Sequence, residues 1–429
     1  MCASFERGKE KVRKAASAMV GMRGIEDIIG DKLHGRFILG CVTPTPETGA
    51  FVRALHKVGV EMSWCADNRF ASDDDVVAYL QSEGVSIFAK SNMMLDEYFG
   101  NMNKALALAH SSIQVVSDGA DIFEYMARIK HPLLRDVVGA TEQTACGITI
   151  LQRLYTSGDL HFPTLDVDGT NIKKYVDNYL GVGASLMHLF EDCGIDILER
   201  TENDVGLKDK FITIFGYGYV GRAAADFFAW KRGRRGIHIV ERDPTKLLQA
   251  KAERGYCPVN KYDAIRNSDI CVTATGVDFT IDREMIQMAK DGVLLCNIGH
   301  GQLEYDTEFL EEQGSCIAIN EHLDEYTMPN GKKVLSLCKG ALANMIVSGG
   351  NPDYLMGVTF TLHALGQIEL TKMSGSTGIL TMPKEIVREA TLCNFPQLKY
   401  AVEGGADEKN NLKPCNGLYL PMFVGMGVL

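Results

Sequence analysis

The stretch 211–241 reads FITIFGYGYVGRAAADFFAWKRGRRGIHIVE and contains the pattern that decides the fold. Gly216, Gly218 and Gly221 form GxGxxG directly after an apolar run, a helix-forming segment follows, and a second apolar run ends at Glu241. These glycines permit a tight turn and let the backbone approach a pyrophosphate at a helix N-terminus, which favours an anion. An acid about 20 residues further on can accept hydrogen bonds from ribose hydroxyls and repels a 2′-phosphate. The stretch therefore predicts a strand–helix–strand unit that binds NAD in preference to NADP.

Short apolar runs alternate with segments of helical period on both sides of this stretch. Strands of a parallel sheet that is covered by helices on both faces are continuously apolar, so the alternation predicts an α/β fold. The pattern occurs before about residue 130 and again after about 210, and the part between, about 141–205, is expected to be mostly helical. We therefore expect two Rossmann-like doubly wound domains with a cleft between them. The runs taken as strands are 37–42, 85–89, 113–117, 211–215, 237–241, 269–275 and 292–298.

Composition excludes several classes of protein. The 429 residues carry 44 basic and 55 acidic side chains, a net charge of −11, which does not favour binding to nucleic acid or to an anionic membrane surface. Among the twelve cysteines the closest pair, Cys257 and Cys271, is 14 residues apart, so reduced thiols are expected and no metal site is predicted. Without an apolar signal region or a run of about 18 apolar residues, a soluble cytoplasmic protein is expected.

Two further strand ends carry small or polar residues where open α/β sheets bind ligands. They are VTATG (272–276), which contains Thr275, and NIGHG (297–301), in which His300 stands between two glycines. Among the ten histidines, His300 is therefore the candidate for a functional role.

Together with these segments, a colinear set of motifs resembles the S-adenosyl-L-homocysteine hydrolases over about residues 30–400. TEQT (141–144) stands where that family has EETT, and LDVDGTNIKKYVDNYLG (165–181), ERDP (241–244) and QIEL (367–370) follow in the family's order. The resemblance implies a substrate domain, an NAD-binding Rossmann domain and a homo-oligomer, dimer or tetramer. The expected boundaries are 1–180 completed by about 352–395 for the substrate domain, 185–350 for the NAD-binding domain, and 396–429 for a divergent tail.

The resemblance also implies a reaction and the residues that perform it. In the family, bound NAD takes a hydride from C3′ of the nucleoside, the ketone acidifies the C4′ hydrogen, a base removes it, and the C5′ substituent leaves. Lys173 matches the residue that helps to deprotonate the 3′-hydroxyl, and Asp177 matches the one that orients it. Asp118 matches the aspartate near C4′ and C5′, and His300 completes the catalytic set. The i, i+4 spacing of Lys173 and Asp177 puts both on one face of a helix.

Binding residues follow from the same matches, and a purine nucleoside with adenine is the expected ligand. The substrate contacts implied are Thr45, Glu47, Thr48, Gln143, Asn351, Met356 and Phe360. The cofactor contacts implied are Thr144, Asn178, Gly216, Gly218, Tyr219, Val220, Gly221, Glu241, Thr275 and Asn344.

The chain departs from the family pattern around C5′ and on the ribose 2′ side. Thr43 replaces a histidine that handles the C5′ leaving group, and a threonine cannot exchange a proton near neutral pH as imidazole does. Gln143 replaces a glutamate that grips a ribose hydroxyl, and Asn351 replaces another histidine. The ending GLYLPMFVGMGVL (417–429) lacks the family's tail, which clamps NAD in a neighbouring subunit. The remaining replacements at family positions are Ala145, Cys146 and Val182.

This uneven pattern supports oxidation at C3′ and proton abstraction at C4′ with an altered step at C5′. The favoured hypothesis is an NAD-dependent enzyme that eliminates a C5′ group from an adenosine-like nucleoside. Its net reaction would be a dehydration, as in the biosynthesis of an angustmycin-type nucleoside antibiotic. The alternatives are an ordinary S-adenosyl-L-homocysteine hydrolase and a non-catalytic NAD- or nucleoside-sensing regulator. The retention of Lys173, Asp177, Asp118 and His300 counts against the regulator.

Overall fold

The computed structural model describes residues 2–192, 210–300 and 303–399. The chain divides into two compact units, with breaks between Asp177 and Asn178 and between Pro352 and Asp353. The first unit therefore combines the N-terminal part with the segment after residue 352, and the second unit lies between the breaks. The divergent ending 417–429 and the end of the predicted helical segment lie outside the described residues.

The strands are short, as expected for buried parallel strands, and most are flanked by helices. In chain order they are β1 (Phe37–Cys41), β2 (Glu61–Cys65), β3 (Ser86–Phe88), β4 (Ile113–Ser117), β5 (Val137–Glu142), β6 (Pro163–Asp166), β7 (Ile212–Phe215), β8 (Ile237–Val240), β9 (Cys257–Pro258), β10 (Ile270–Thr273), β11 (Val293–Asn297), β12 (Ser315–Ala318), β13 (Leu323–Thr327), β14 (Lys333–Leu337) and β15 (Gly378–Thr381).

The α-helices pack on these strands, and none in the described ranges is both long and apolar enough to cross a bilayer. They are Cys2–Ala18, Ile25–Ile29, Pro46–Lys57, Asp74–Ser82, Leu95–Leu108, Asp121–Arg128, Ala145–Thr156, Val182–Met187, Tyr219–Arg232, Pro244–Arg254, Lys261–Asn267, Arg283–Met288, Thr307–Gln313, Ala343–Ile346, Asp353–Leu370 and Lys384–Asn394. Wider π-helical turns run over Lys173–Gly181 and His188–Asp192, and 3-10 turns over Val20–Met22, Pro132–Arg135 and Cys338–Gly340.

The sheet of the first unit is parallel throughout, in the order β15-β6-β5-β4-β1-β2-β3. The chain order reverses between β1 and β4, and open α/β sheets bind ligands outside the carboxyl ends of the strands at such a reversal. The carboxyl ends of β2, β1, β4 and β5 consequently lie side by side along one edge.

The sheet of the second unit has the order β12-β13-β14-β11-β10-β7-β8-β9. The strands from β14 to β9 are parallel, and the chain order reverses between β7 and β10. At the other end of the sheet, β12 pairs antiparallel with β13, and β13 pairs antiparallel with β14. The predicted α/β class with two Rossmann-like doubly wound sheets is confirmed.

All seven apolar runs predicted as strands form strands, but the expectation of a mostly helical segment over 141–205 is wrong in part. The end of β5 and the whole of β6 lie there, and only the helix Ala145–Thr156 and the helical turns from Lys173 onward fit the expectation. Because β6 begins with Pro163 and includes the polar residues Thr164 and Asp166, it has no apolar run that marks it as a strand.

Candidate active site

Polar side chains collect where adjacent strands of the first unit end. Thr43 follows β1, Asp67 follows β2, and Asp118 directly follows β4. Thr43 donates twice to Oδ1 of Asp67, from its backbone N–H and, at 2.7 Å, from its hydroxyl. The Thr43 hydroxyl hydrogen is thus directed at a carboxylate that is only 3% exposed.

Asp118 belongs to a chain of hydrogen bonds that continues into the core. Gln143 Nε2 donates to Asp118 Oδ2 at 2.5 Å, and Gln143 Oε1 lies 2.9 Å from His363 Nε2. Because an ionised carboxylate only accepts, the amide nitrogen faces Asp118 and the amide oxygen faces the imidazole. His363 therefore carries its proton on Nε2, and its Nδ1 accepts from the Thr141 hydroxyl at 2.6 Å. Gln367 Nε2 donates to the Thr141 oxygen at 2.8 Å, which leaves the Thr141 hydrogen directed at the ring.

Lys173 and Asp177 form a buried ion pair in the first unit. They lie four residues apart, as the sequence suggested, and the wider π-helical turn Lys173–Gly181 still brings their side chains into contact. The exposed fractions of the two side chains are 5% and 2%. The Thr359 hydroxyl also donates to the Asp177 carboxylate and so fixes its orientation.

Three polar residues of the helix Asp353–Leu370 form hydrogen bonds with these groups, and the sequence reasoning missed them. Thr359, His363 and Gln367 recur every fourth residue and are completely buried. This spacing in an otherwise apolar helix was the signal available in the sequence, since a buried polar stripe must find partners. Its partners are the side chains of Asp177, Gln143 and Thr141.

His363 remains neutral over the physiological pH range. Burial and the nearby charge of Lys173 lower the pKa of His363 to about 3. The protonated imidazole is therefore disfavoured in the folded chain but not in the unfolded chain.

This neutral state predicts a specific pH dependence of stability. Protons bind His363 more readily in the unfolded chain, so its contribution to stability is lost as pH falls from about 6.5 towards 3, at up to about 1.4 kcal/mol per pH unit. His363→Gln, which cannot titrate, is expected to lack this slope. Urea unfolding of wild type and variant between about pH 7.5 and pH 5 measures it. The exposed histidine variant His34→Gln should retain the wild-type slope, and equal slopes for wild type and His363→Gln would contradict the prediction.

Glu142, a further residue that sequence reasoning did not single out, holds the turn that contains Gly119 and Ala120, next to Asp118. Its carboxylate accepts from the backbone N–H groups of Gly119, Ala120 and Thr144 at 2.9–3.1 Å and from the Thr144 hydroxyl at 2.6 Å. Ala120 lies in the left-handed region with φ +61°. Burial and the charge of Asp118 raise the pKa of Glu142 to about 7. Thr144, expected at the cofactor, caps the helix Ala145–Thr156 by accepting from Gly147 N–H.

The expected base-reading residues lie at the start of the helix Pro46–Lys57. Thr45 caps this helix by accepting from Thr48 N–H, and the Thr48 hydroxyl donates to the Thr43 carbonyl at 2.8 Å. Glu47 is buried, and burial together with a hydrogen bond to Asp353 raises its pKa well above the usual range. Of the two expected apolar contacts, Met356 is partly buried, and Phe360 is 1% exposed and stacked on Phe51 at 5.3 Å.

The glycine loop of the second unit has the form that a pyrophosphate requires. Gly216 has φ +93°, and a Cβ there would lie 2.6 Å from the Ala274 carbonyl oxygen. A Cβ at Gly221 would lie 2.0 Å from the Gly216 oxygen. At Gly218, by contrast, a Cβ would meet no heavy atom of the described chain within 4 Å. Gly218 therefore faces open space at the N-terminus of the helix Tyr219–Arg232, where Tyr219 and Val220 form the first turn, and a bound phosphate fits there.

Glu241 follows β8 in the position expected for the ribose contact. It accepts from the backbone N–H groups of Tyr217, Arg242 and Asp243 at 2.8, 2.7 and 3.1 Å. Burial opposes ionisation, yet these donors hold the pKa of Glu241 below its usual value. A negatively charged Glu241 fits a free 2′-hydroxyl better than a 2′-phosphate.

Glu304, which sequence reasoning also missed, connects the turns that follow β10 and β11. It is completely buried and accepts from Thr275 N–H and Gly276 N–H at 2.9 and 2.7 Å and from the Thr275 hydroxyl at 2.8 Å. A Cβ at Gly299 would lie 1.9 Å from Glu304, which explains the glycine before His300.

The other expected residues of the second unit are spread over several elements. His300 is half-buried at the end of β11, Asn178 and Asn351 lie next to the two breaks between units, and Asn344 donates to the Ser185 hydroxyl at 3.3 Å.

A GxGxxG loop of this geometry on one doubly wound sheet defines an NAD-binding α/β enzyme of the Rossmann class. Comparison with family models specifies the class further. Residues 188–350 match the NAD-binding domain of S-adenosyl-L-homocysteine hydrolase, and residues 2–131 match the model described as S-adenosyl-L-homocysteine hydrolase.

Two curated relatives agree with the family models. The chain is 31% identical to the adenosylhomocysteinase of Pyrobaculum aerophilum over 398 residues and 31% identical to that of Saccharolobus solfataricus over 380 residues. Each alignment covers 88% of this chain and 88% of the relative. The chain therefore belongs to the S-adenosyl-L-homocysteine hydrolase family, and its cofactor is NAD. Among solved structures, the A chain of dipicolinate synthase from Bacillus subtilis aligns with a TM-score of 0.40 and 11% identity over 78% of this chain and 97% of that one, a likeness that carries no weight.

Proposed function

We propose that this enzyme oxidises the 3′-hydroxyl of an adenosine-like nucleoside, removes the C4′ proton and eliminates the C5′ substituent. We propose further that the net reaction is a dehydration in the biosynthesis of an angustmycin-type nucleoside antibiotic. The observation that carries the proposal is the buried pair of Lys173 and Asp177, held by Thr359 in the same unit as Asp118. A protein that only binds NAD or a nucleoside has no need for a buried ion pair, which is costly to desolvate.

In this proposal the ion pair manages the proton of the 3′-hydroxyl. Asp177 is fixed by two donors, Lys173 and Thr359, so its remaining acceptor capacity is oriented before a ligand arrives. The bound NAD supplies a hydride acceptor for C3′. Lys173 first passes one ammonium proton to Asp177 and then receives the hydroxyl proton, so the pair as a whole takes up one proton. His363, whose pKa is affected by the charge of Lys173, adds no positive charge because it stays neutral.

Asp118 then acts as the base at C4′. Its Oδ2 accepts the N–H of Gln143, and the amide is fixed from behind by His363. This arrangement positions the Asp118 carboxylate through a neutral amide donor, in an orientation from which it can take a proton from carbon.

The hydrogen bonds of Gln143 bear on the sugar that the site would bind. In the family a carboxylate at this position accepts from a ribose hydroxyl, whereas here the amide oxygen is already bonded to His363 and one N–H is bonded to Asp118. The remaining N–H can only donate. A ligand hydroxyl at this position must therefore accept from Gln143 instead of donating to it, and we propose that the sugar is altered near C1′ or C2′.

A product screen by mass spectrometry tests the proposal. Protein with added NAD is offered S-adenosyl-L-homocysteine, adenosine and hydroxymethyl-substituted adenine nucleosides, in heavy water. We expect absorbance of reduced nicotinamide, deuterium at C4′ of the recovered substrate, and a product lighter by one water. Release of homocysteine at an appreciable rate would favour ordinary S-adenosyl-L-homocysteine hydrolysis instead. Absence of both reduced nicotinamide and C4′ deuterium would contradict the oxidative mechanism.

A further inference from the structure

We propose that Asp67 is the acid that protonates the departing C5′ oxygen, and that Asp67 and Asp118 share a single proton through the elimination. This inference rests on the proposed function and adds to it a residue that neither the motifs nor the family matches had singled out.

The two carboxyl groups are close, and Asp67 is buried while Asp118 is half-buried. Asp67 is 3% exposed, and one of its carboxylate oxygens lies within 4.8 Å of one of Asp118. They follow β2 and β4, the strands on either side of β1, at the reversal of strand order where a ligand is expected. Like charges this close are costly, most of all for the buried Asp67, so such a pair favours a state with one proton between the two groups.

The hydrogen bonds suggest how that proton is placed. Both donors of Thr43, the backbone N–H and the hydroxyl, point at Oδ1 of Asp67, so a proton on this carboxyl belongs on Oδ2. Gln143 N–H donates to the half-buried Asp118, whereas Asp67 is almost fully removed from solvent, and burial disfavours its ionised form. Asp67 is accordingly the acid of the pair and Asp118 the base.

This pair of carboxyl groups can supply and accept every proton that the elimination of water requires. Asp118 takes the proton from C4′, the C4′–H electron pair forms the C4′=C5′ bond, and the C5′–O bond breaks with its electrons on oxygen. Hydroxide is a poor leaving group, and the proton from Asp67 lets the oxygen depart as water. The pair then still holds one proton, now on Asp118, and its transfer back to Asp67 restores the starting state. Thr43 cannot serve as the acid, because a hydroxyl does not give up its proton near neutral pH.

Asp67→Asn tests this assignment with two substrates. Asparagine keeps the oxygen that accepts from Thr43 but has no acidic proton. For a 5′-hydroxyl nucleoside we expect water loss to fall by about 10²–10⁴-fold, while deuterium exchange at C4′ stays near the wild-type rate. For 5′-chloro-5′-deoxyadenosine, whose chloride leaves without a proton, elimination should be retained. Asp121→Asn is the matched control, because Asp121 is a neighbouring carboxylate that accepts from the Tyr98 hydroxyl and lies outside the proposed machinery.

The outcomes separate this inference from the proposed function. Wild-type water loss by Asp67→Asn, or equal losses for hydroxide, chloride and C4′ exchange, would overturn the role of Asp67 as the acid. A wild-type enzyme that neither oxidises C3′ nor exchanges C4′ would overturn the proposed function itself. Retained C4′ exchange in Asp67→Asn also shows that the variant is folded and binds its ligand.

Discussion

Gly221→Ala is expected to abolish NAD binding and to destabilise the second unit. The added methyl group would lie 2.0 Å from the carbonyl oxygen and 2.9 Å from the carbonyl carbon of Gly216, and both are backbone atoms that cannot rotate away. The loop and the first turn of the helix Tyr219–Arg232 must therefore separate, which spoils the N–H groups that face the pyrophosphate. We expect the dissociation constant for NAD to rise more than about a hundredfold, about 3 kcal/mol, in calorimetric titrations.

Two other glycines show whether this effect belongs to the cofactor or to folding. A methyl group at Gly218 meets no described heavy atom within 4 Å, so Gly218→Ala should keep the unfolding temperature of the NAD-free protein while NAD affinity falls. Gly100 lies inside the helix Leu95–Leu108 of the first unit and is equally unobstructed within the part of the chain that the structure describes. Gly100→Ala should leave both quantities intact or slightly raise stability. Wild-type NAD affinity of Gly218→Ala would show that the pyrophosphate does not lie against this residue.

The parts of the fold that could be predicted are those in which burial alone sets the residue type. Strands such as β1 and β11 are buried along their whole length and consist almost entirely of apolar residues. By contrast, β12 is exposed along its length at the end of a sheet, and β6 contains the polar residues Thr164 and Asp166. Neither has an apolar run that periodicity can detect.

The candidate site divides in a similar way. Groups that sit in motifs, such as Lys173 and Glu241, could be located from spacing and family order. Glu304 and His363 could not, since their function depends on partners far away in the sequence: His363 bonds Gln143 across 220 residues. Buried polar side chains of this kind are chosen by the groups they satisfy, and a linear pattern does not show which groups meet.

Lys173→Gln is expected to stop the reaction at its first step. The amide can still donate to Asp177, so the variant avoids leaving a buried carboxylate without a donor, a loss that alone can cost about 3–5 kcal/mol. It cannot accept the proton of the 3′-hydroxyl, and general base catalysis is worth about 10²–10⁴-fold in rate. Formation of reduced nicotinamide on mixing with nucleoside and NAD should fall by that factor. Deuterium exchange at C4′ should fall with it, because the C4′ hydrogen becomes acidic only after C3′ is oxidised.

Two companion variants distinguish this outcome from a general loss of structure. Lys174 is the adjacent lysine and is partly exposed, with its ammonium 3.3 Å from the Gly169 carbonyl, so Lys174→Ala should oxidise its substrate at the wild-type rate. Asp118→Asn should still form reduced nicotinamide but should lose C4′ exchange, since only the second proton transfer is removed. If Lys173→Gln retained oxidation, or if Asp118→Asn lost oxidation as completely as Lys173→Gln, the proposed division of labour would be wrong. The three variants should therefore stop at different steps: Lys173→Gln before oxidation at C3′, Asp118→Asn after oxidation, and Asp67→Asn after proton abstraction at C4′.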